Sequence, residues 1–162
     1  MINGLQPEIA AVLPHLHKLS DEDKQEVLDI INKLEEIQKY EKARKSFMDF
    51  VAVVWPAFIE GSHHRIMGEA FQNVVMEDEK RLIINMAPRH TKSEFASYLL
   101  PAWFLGNFPE KKVIQTAHTA ELAVGFGRKV RNLFDTDEFK KIFPGVALRS
   151  DSKAAGRWAT SH

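Results

Sequence analysis

The sequence predicts an α/β fold, in which a parallel sheet is flanked by helices and follows an N-terminal helical segment. Two short, largely apolar runs predict the sheet, Leu82-Ile83-Ile84 and Val113-Ile114-Gln115-Thr116-Ala117, because buried parallel strands have this pattern. A helical pattern follows each run. The order strand, helix, strand, helix is typical of a right-handed βαβ unit.

The first predicted helix covers residues 20–45. Ser20 is its expected N-cap, and the acidic residues 21–23 suit the positive end of the helix dipole. Apolar residues recur at helical spacing on one face, namely Val27, Ile30, Ile31, Leu34 and Ile37. This face either packs on its own domain or serves as an arm for another subunit.

Later segments extend the helical prediction. Residues 65–75 and 137–143 read as short helices, and Thr119 is the expected N-cap of a helix that runs to Leu133. Residues 93–105 are apolar all round, which predicts a buried helix, and Pro101 should kink it. We therefore expect a helical segment over 1–45 and an α/β domain over 46–162.

Composition limits the function classes. Lys and Arg together number 22, as do Asp and Glu, so the chain has no overall attraction for nucleic acid, and DNA contact would need a local patch or a partner. There is no cysteine, which excludes disulfides and thiolate metal sites. No apolar run approaches the roughly 20 residues that cross a bilayer, and the N-terminus lacks the pattern of a signal peptide.

One segment carries phosphate-binding chemistry, Met86–Ser93 (MAPRHTKS), between the first predicted strand and its helix. In a phosphate-binding loop, backbone amides and the helix N-terminus surround the phosphates, a Lys reaches the β and γ phosphates, and a Ser or Thr holds Mg²⁺. The spacing from Met86 to Lys92 equals that from the pattern's first Gly to its Lys. However, Met86 and Thr91 stand where the pattern has glycines.

Several collinear segments surround this loop. They are Trp55-Pro56, Gly61-Ser62-His63-His64-Arg65, Arg81 to Glu94, Pro101 to Gly106, Phe126 to Asn132, Phe143 to Val146, and Gly156-Arg157-Trp158. In this combination, from about Phe47 onward, the chain resembles the N-terminal ATPase domain of the large terminase subunits of tailed bacteriophages.

The resemblance implies that residues 46–162 are an incomplete P-loop NTPase-type ATPase domain. This domain would belong to an ATP- and Mg²⁺-dependent motor that drives double-stranded viral DNA into a capsid. The implied partners are a portal protein, a small terminase subunit and further copies of the chain in a ring, in the cytoplasm of an infected bacterium. The family's loop often reads MPPRHGKS, so Met86 and Arg89 match it and Thr91 departs from it. A β-branched residue is costly where φ is positive, which predicts weakened ATP binding or a remodelled loop.

The same resemblance implies the site residues. Lys92 would contact the β and γ phosphates and Ser93 would hold Mg²⁺. Arg89 would contact the γ phosphate, or alternatively pair with Glu94 on the surface. His64 and Arg65 would recognise adenine, or alternatively begin a helix with exposed imidazoles. The expected nucleotide-contacting loop comprises Met86, Ala87, Pro88, Arg89, His90, Thr91, Lys92, Ser93 and Glu94.

Two further sets of residues have weaker patterns. His90 and His118 each follow a predicted strand, so both are expected at one edge of the sheet, where His118 either senses phosphate or is a loop histidine. Arg128, Lys129 and Arg131 share one helix. One of them would act as an arginine finger across a subunit interface, or else the three form a solvated face.

Hydrolysis needs more than the loop. No apolar strand that ends in an acidic residue, the usual Mg²⁺ and water-positioning element, follows the loop, and no clustered nuclease carboxylates are evident. We therefore expect the chain alone to hydrolyse little or no ATP. Alternatives are another DNA-dependent P-loop motor, such as a helicase-like one, or a degenerate binding or scaffold module in which Thr91 marks an inactive site.

Overall fold

A computed structural model describes residues 20–78, 80–153 and 156–161, and they are mostly helical. The chain divides into two compact units at Glu41 and Lys42. Helix α1 spans Asp21–Lys45, α2 Phe47–Val54, α3 Ser62–Val75, α4 Lys92–Glu94, α5 Leu100–Asn107, α6 Ala120–Phe134 and α7 Asp137–Ile142. A π-helical turn, Phe95–Leu99, joins α4 to α5. In these ranges no helix is long and apolar enough to span a membrane.

The prediction of a parallel P-loop-type sheet is wrong. The one sheet among the described residues is an antiparallel hairpin of β1, Ala147–Lys153, and β2, Trp158–Ser161, with Leu148 opposite Thr160. Residues 81–87 and 112–117, where the two buried strands were expected, have no regular secondary structure. Ile83 and Ile114 in these segments are 86% and 90% exposed.

The failure of that prediction has a physical cause. A run of β-branched residues such as Ile83-Ile84 favours a strand, but a strand forms only when a neighbour completes its ladder of hydrogen bonds. Neither segment finds such a neighbour in the described parts of the chain. The β-hairpin in turn has no clear signal in the sequence, because its strands carry charged residues such as Arg149 and Asp151.

The helical predictions are largely confirmed. Ser20 caps α1 through its hydroxyl, which accepts a hydrogen bond from the Asp23 amide, and Thr119 caps α6 in the same way. Helix α1 is 25 residues long, and Ile30 and Ile37 on its apolar face are 49% and 55% exposed. Apolar side chains at helical spacing along α6 differ in burial, since Val130 and Leu133 are buried and Leu122 is not.

The core of the larger unit is aromatic and centres on Phe47. This ring is fully buried and makes edge-to-face contacts with Phe71, Phe95 and Trp103 at centroid distances of 5.6, 5.6 and 5.7 Å. Such pairs add to the free energy gained from burying the rings. Gly68 lets α3 approach α2 closely, because a Cβ there would lie 2.6 Å from the sulfur of Met48. The core thus joins α2, α3, the π-helical turn and α5.

The π-helical turn lies next to Pro101, where a kink was expected. Proline has no N–H, so residue 101 cannot donate the hydrogen bond that an α-helix would give to the carbonyl of Ser97. The helix widens over the preceding residues, and the Leu100 amide bonds to the carbonyl of Phe95. The Gln115 side chain donates from Nε2 to the Ser97 carbonyl at 2.8 Å. Gln115 therefore ties residues 112–117 to the helix at the point that the proline disturbs.

We predict that Gln115→Leu lowers the free energy of unfolding by about 1 kcal/mol, because the half-buried Ser97 carbonyl loses a donor. Urea unfolding of the purified chain measures this. In a Pro101→Ala background the loss should be smaller, since an amide at position 101 supplies a competing donor. An equal loss in both backgrounds would contradict the link between Gln115 and the proline.

Candidate functional site

The loop at Met86–Ser93 leads directly into α4, so the predicted loop-to-helix arrangement is present without the sheet. Lys92 lies at the start of α4, and its Nζ donates a hydrogen bond to the carbonyl oxygen of Met86 at 3.3 Å. This bond closes the loop on itself. Ser93 is exposed at the same helix start, while Lys92 is half-buried.

Two residues of the loop have left-handed backbone conformations. Arg89 has φ 65° and Thr91 has φ 58°. Thr91 is also the N-cap position of α4, although its side chain does not cap the helix. Glycine adopts such angles freely, whereas a β-branched residue at positive φ is strained. Position 91 is therefore left-handed although it carries a threonine, and contacts with other residues must stabilise this conformation.

The contact that Thr91 makes comes from His64, 27 residues earlier in the chain. The Gly61 amide donates to Nδ1 of His64 at 2.9 Å, so this nitrogen carries no proton and the neutral ring has its proton on Nε2. Nε2 then donates to the Thr91 hydroxyl at 2.7 Å, and that hydroxyl donates to the carbonyl of His90 at 2.7 Å. One continuous relay of hydrogen bonds thus runs from the start of α3 into the loop.

The surroundings of His64 favour this neutral form. The side chain is buried, and burial lowers its pKa from the usual 6.5. The neighbouring His63 lowers the pKa further, Glu60 raises it and His90 lowers it. The His63 and His64 rings lie 3.8 Å apart, and the His63 and His90 rings 5.7 Å apart.

Aromatic side chains that the sequence analysis did not select hold the His64 ring in place. Phe58 packs edge-on against it at 4.7 Å, and Phe95 lies 5.4 Å away. Phe95 is fully buried and directly follows α4. No sequence pattern links residues 58, 64, 91 and 95, since only the folded chain brings them together.

The charged residues among the remaining predicted site residues differ in their contacts. Arg65 is exposed and pairs with Glu60, and Glu94 pairs with Lys129 of α6 at 2.7 Å. Because Glu94 pairs with Lys129, it is not the surface partner of Arg89, and Arg89 has no ion pair or hydrogen bond with any described residue.

Ala87 and Pro88 are exposed along the loop, and the Pro88 carbonyl lies 2.9 Å from Nδ1 of His90. Adenine recognition by His64 or Arg65 stays a prediction.

The other candidates lie apart from the loop contacts. His118 is exposed, and among the described residues no hydrogen bond or ring contact joins it to residues 86–93. Arg128 is exposed on α6, beside the paired Lys129. A separate cavity of about 490 Å³ contains Trp158 and Arg157 in its lining and none of the loop residues.

Comparisons with known proteins neither support nor contradict the resemblance to terminase large subunits, which rests on the sequence segments alone. No protein-family model, curated protein or solved structure matches the chain. Within the described residues, no group of three or more His, Asp or Glu side chains is placed to hold a metal ion.

We predict that stability falls as the pH is lowered below about 6.5. The folded state keeps His64 neutral and the unfolded state does not, so the unfolded state takes up the proton first. The stabilisation is complete above the unfolded pKa and is lost as the pH falls through the lowered folded pKa. Urea unfolding midpoints between pH 8 and pH 5 measure this.

The matched variants for this test are His64→Asn and His118→Gln. The first should flatten the pH dependence in this window, whereas the second removes an exposed histidine and should leave it unchanged. A pH dependence that survives His64→Asn in full would show that another group causes it.

Proposed function

We propose that the loop at Met86–Ser93 binds the phosphates of ATP, and that the chain is the ATP-binding part of a DNA-packaging motor of the terminase large-subunit kind. The observation that carries the proposal is the hydrogen bond from Lys92 Nζ to the Met86 carbonyl. It keeps the ammonium group against the backbone of its own loop, where a bound phosphate would replace the carbonyl as its partner.

The other groups of the loop suit an anion. Lys92 and Ser93 lie in the first turn of a helical run, where backbone amides have no intrahelical acceptor. Among the described residues, none accepts a hydrogen bond from the backbone amides of residues 91–93. Arg89 adds a guanidinium that is exposed and unpaired among the described residues, and a guanidinium binds phosphate oxygens in a bidentate way.

Magnesium fits this site as a companion of the nucleotide. Ser93 offers one exposed hydroxyl. Mg²⁺ commonly takes one or two protein ligands and completes its shell with phosphate oxygens and water. When bound, the ion would neutralise phosphate charge, and the residues of this chain would orient the phosphates.

The packaging role rests on the resemblance of the surrounding segments and not on a parallel sheet, which is absent from the described residues. It makes double-stranded viral DNA, a portal protein, a small terminase subunit and further copies of the chain the proposed partners, in the cytoplasm of an infected bacterium. Two competing functions stay open, a helicase-like motor and a scaffold module with an inactive loop. The left-handed Thr91 favours the scaffold module if strain at this residue prevents ATP binding.

We predict that Lys92→Ala weakens MgATP binding about tenfold or more, because the variant loses a charge-assisted hydrogen bond to phosphate. Isothermal titration calorimetry on the purified chain measures the affinity. Lys140→Ala removes the same charge from an exposed position on α7 and should bind like the unmodified chain. Equal affinities for all three proteins, or no binding by the unmodified chain, would refute the proposal.

Two further measurements separate the competing functions. A Thr91→Gly variant that gains MgATP binding from a chain that has none would identify a degenerate loop. Association with a portal-protein ring would favour packaging, whereas association with single-stranded nucleic acid would favour a helicase-like motor.

A further inference from the structure

The loop contains a threonine in a backbone conformation that disfavours threonine. The proposed phosphate-binding role requires that this conformation be maintained. Thr91 has φ 58°, in the region that favours glycine. It immediately precedes Lys92, so its backbone sets the direction of the Lys92 amide and of the first turn of α4. A threonine free to relax to negative φ would change both.

The relay through His64 opposes that relaxation. The Thr91 hydroxyl is fixed on both sides, since it accepts from His64 Nε2 at 2.7 Å and donates to the His90 carbonyl at 2.7 Å. The ring that supplies the first bond is itself fixed by the Gly61 amide at 2.9 Å and by packing against Phe58 and Phe95. A glycine at position 91 has no hydroxyl to receive this bond, and it needs none.

We propose that His64 is a positioning residue for the phosphate loop. By hydrogen bonding to the Thr91 hydroxyl, His64 holds Thr91 in the left-handed conformation. The inference rests on the proposed function for its ligand, the phosphate oxygens of MgATP. It assigns to a histidine–threonine pair the task that glycine performs through its freedom of φ. His64 touches the loop and acts on phosphate only through Thr91.

The first test is a double-mutant cycle on MgATP affinity. Asparagine at position 64 can still accept the Gly61 amide but is too short to reach Thr91. His64→Asn should weaken binding roughly fivefold, the effect of one lost hydrogen bond. In a Thr91→Gly background the same change should have little effect, because glycine needs no support. An equal loss in both backgrounds would overturn the proposal and give His64 a general structural role.

The second test needs no ligand. Backbone ¹⁵N order parameters of residues 89–93 should fall in His64→Asn, while those of α5 stay unchanged. In the Thr91→Gly background, His64→Asn should cause no further decrease. Unchanged order parameters in the single variant would overturn the proposal, whatever the ATP result.

The third test uses two variants that keep His64, so it can be carried out even if His64→Asn does not fold. Thr91→Ser keeps the hydroxyl and should retain an ordered loop, whereas Thr91→Val removes it and should loosen residues 89–93. Equal order in these two variants would overturn the proposal. If the unmodified chain binds no MgATP, the proposed function fails, and the order parameters still decide the role of His64.

Discussion

The burial of Phe95 is the constraint on which the candidate site depends. This side chain follows α4 directly and is fully enclosed, in contact with Phe47 of the core and with the Phe58 and His64 rings. Because protein interiors are close-packed, a ring held on several sides fixes the backbone that carries it. The start of the helix, with Lys92 and Ser93, is thereby set relative to His64 and α3.

The same helix accommodates two features that disfavour regular structure. Thr91 begins it in a left-handed conformation, and Pro101 interrupts its hydrogen bonds. Each is balanced by a side chain from a distant part of the chain, His64 for Thr91 and Gln115 for the Ser97 carbonyl near Pro101. Polar groups that are partly removed from water are costly when unpaired, so these two hydrogen bonds make the local irregularity compatible with a packed core.

Charge has a smaller part in this arrangement. The Glu94–Lys129 pair joins α4 to α6 but is partly exposed to solvent, and such surface pairs contribute at most about 1 kcal/mol. The proposed phosphate binding by the loop depends instead on groups that have few competing partners. Among the described residues, Lys92 bonds to one backbone carbonyl and Arg89 has no partner, which suits the proposed phosphate ligand.

The sequence by itself determined the helices and the loop-to-helix order, because caps such as Ser20 and Thr119, helical periodicity and the Lys92-Ser93 pair are local signals. It did not determine the sheet, since Ile83 and Ile114 mark a preference for strands but cannot supply the neighbour that completes a ladder. Only the tertiary structure decided how position 91 tolerates a threonine. The His64 bond spans 27 residues, and no local pattern encodes a contact that depends on how α3 packs against the loop.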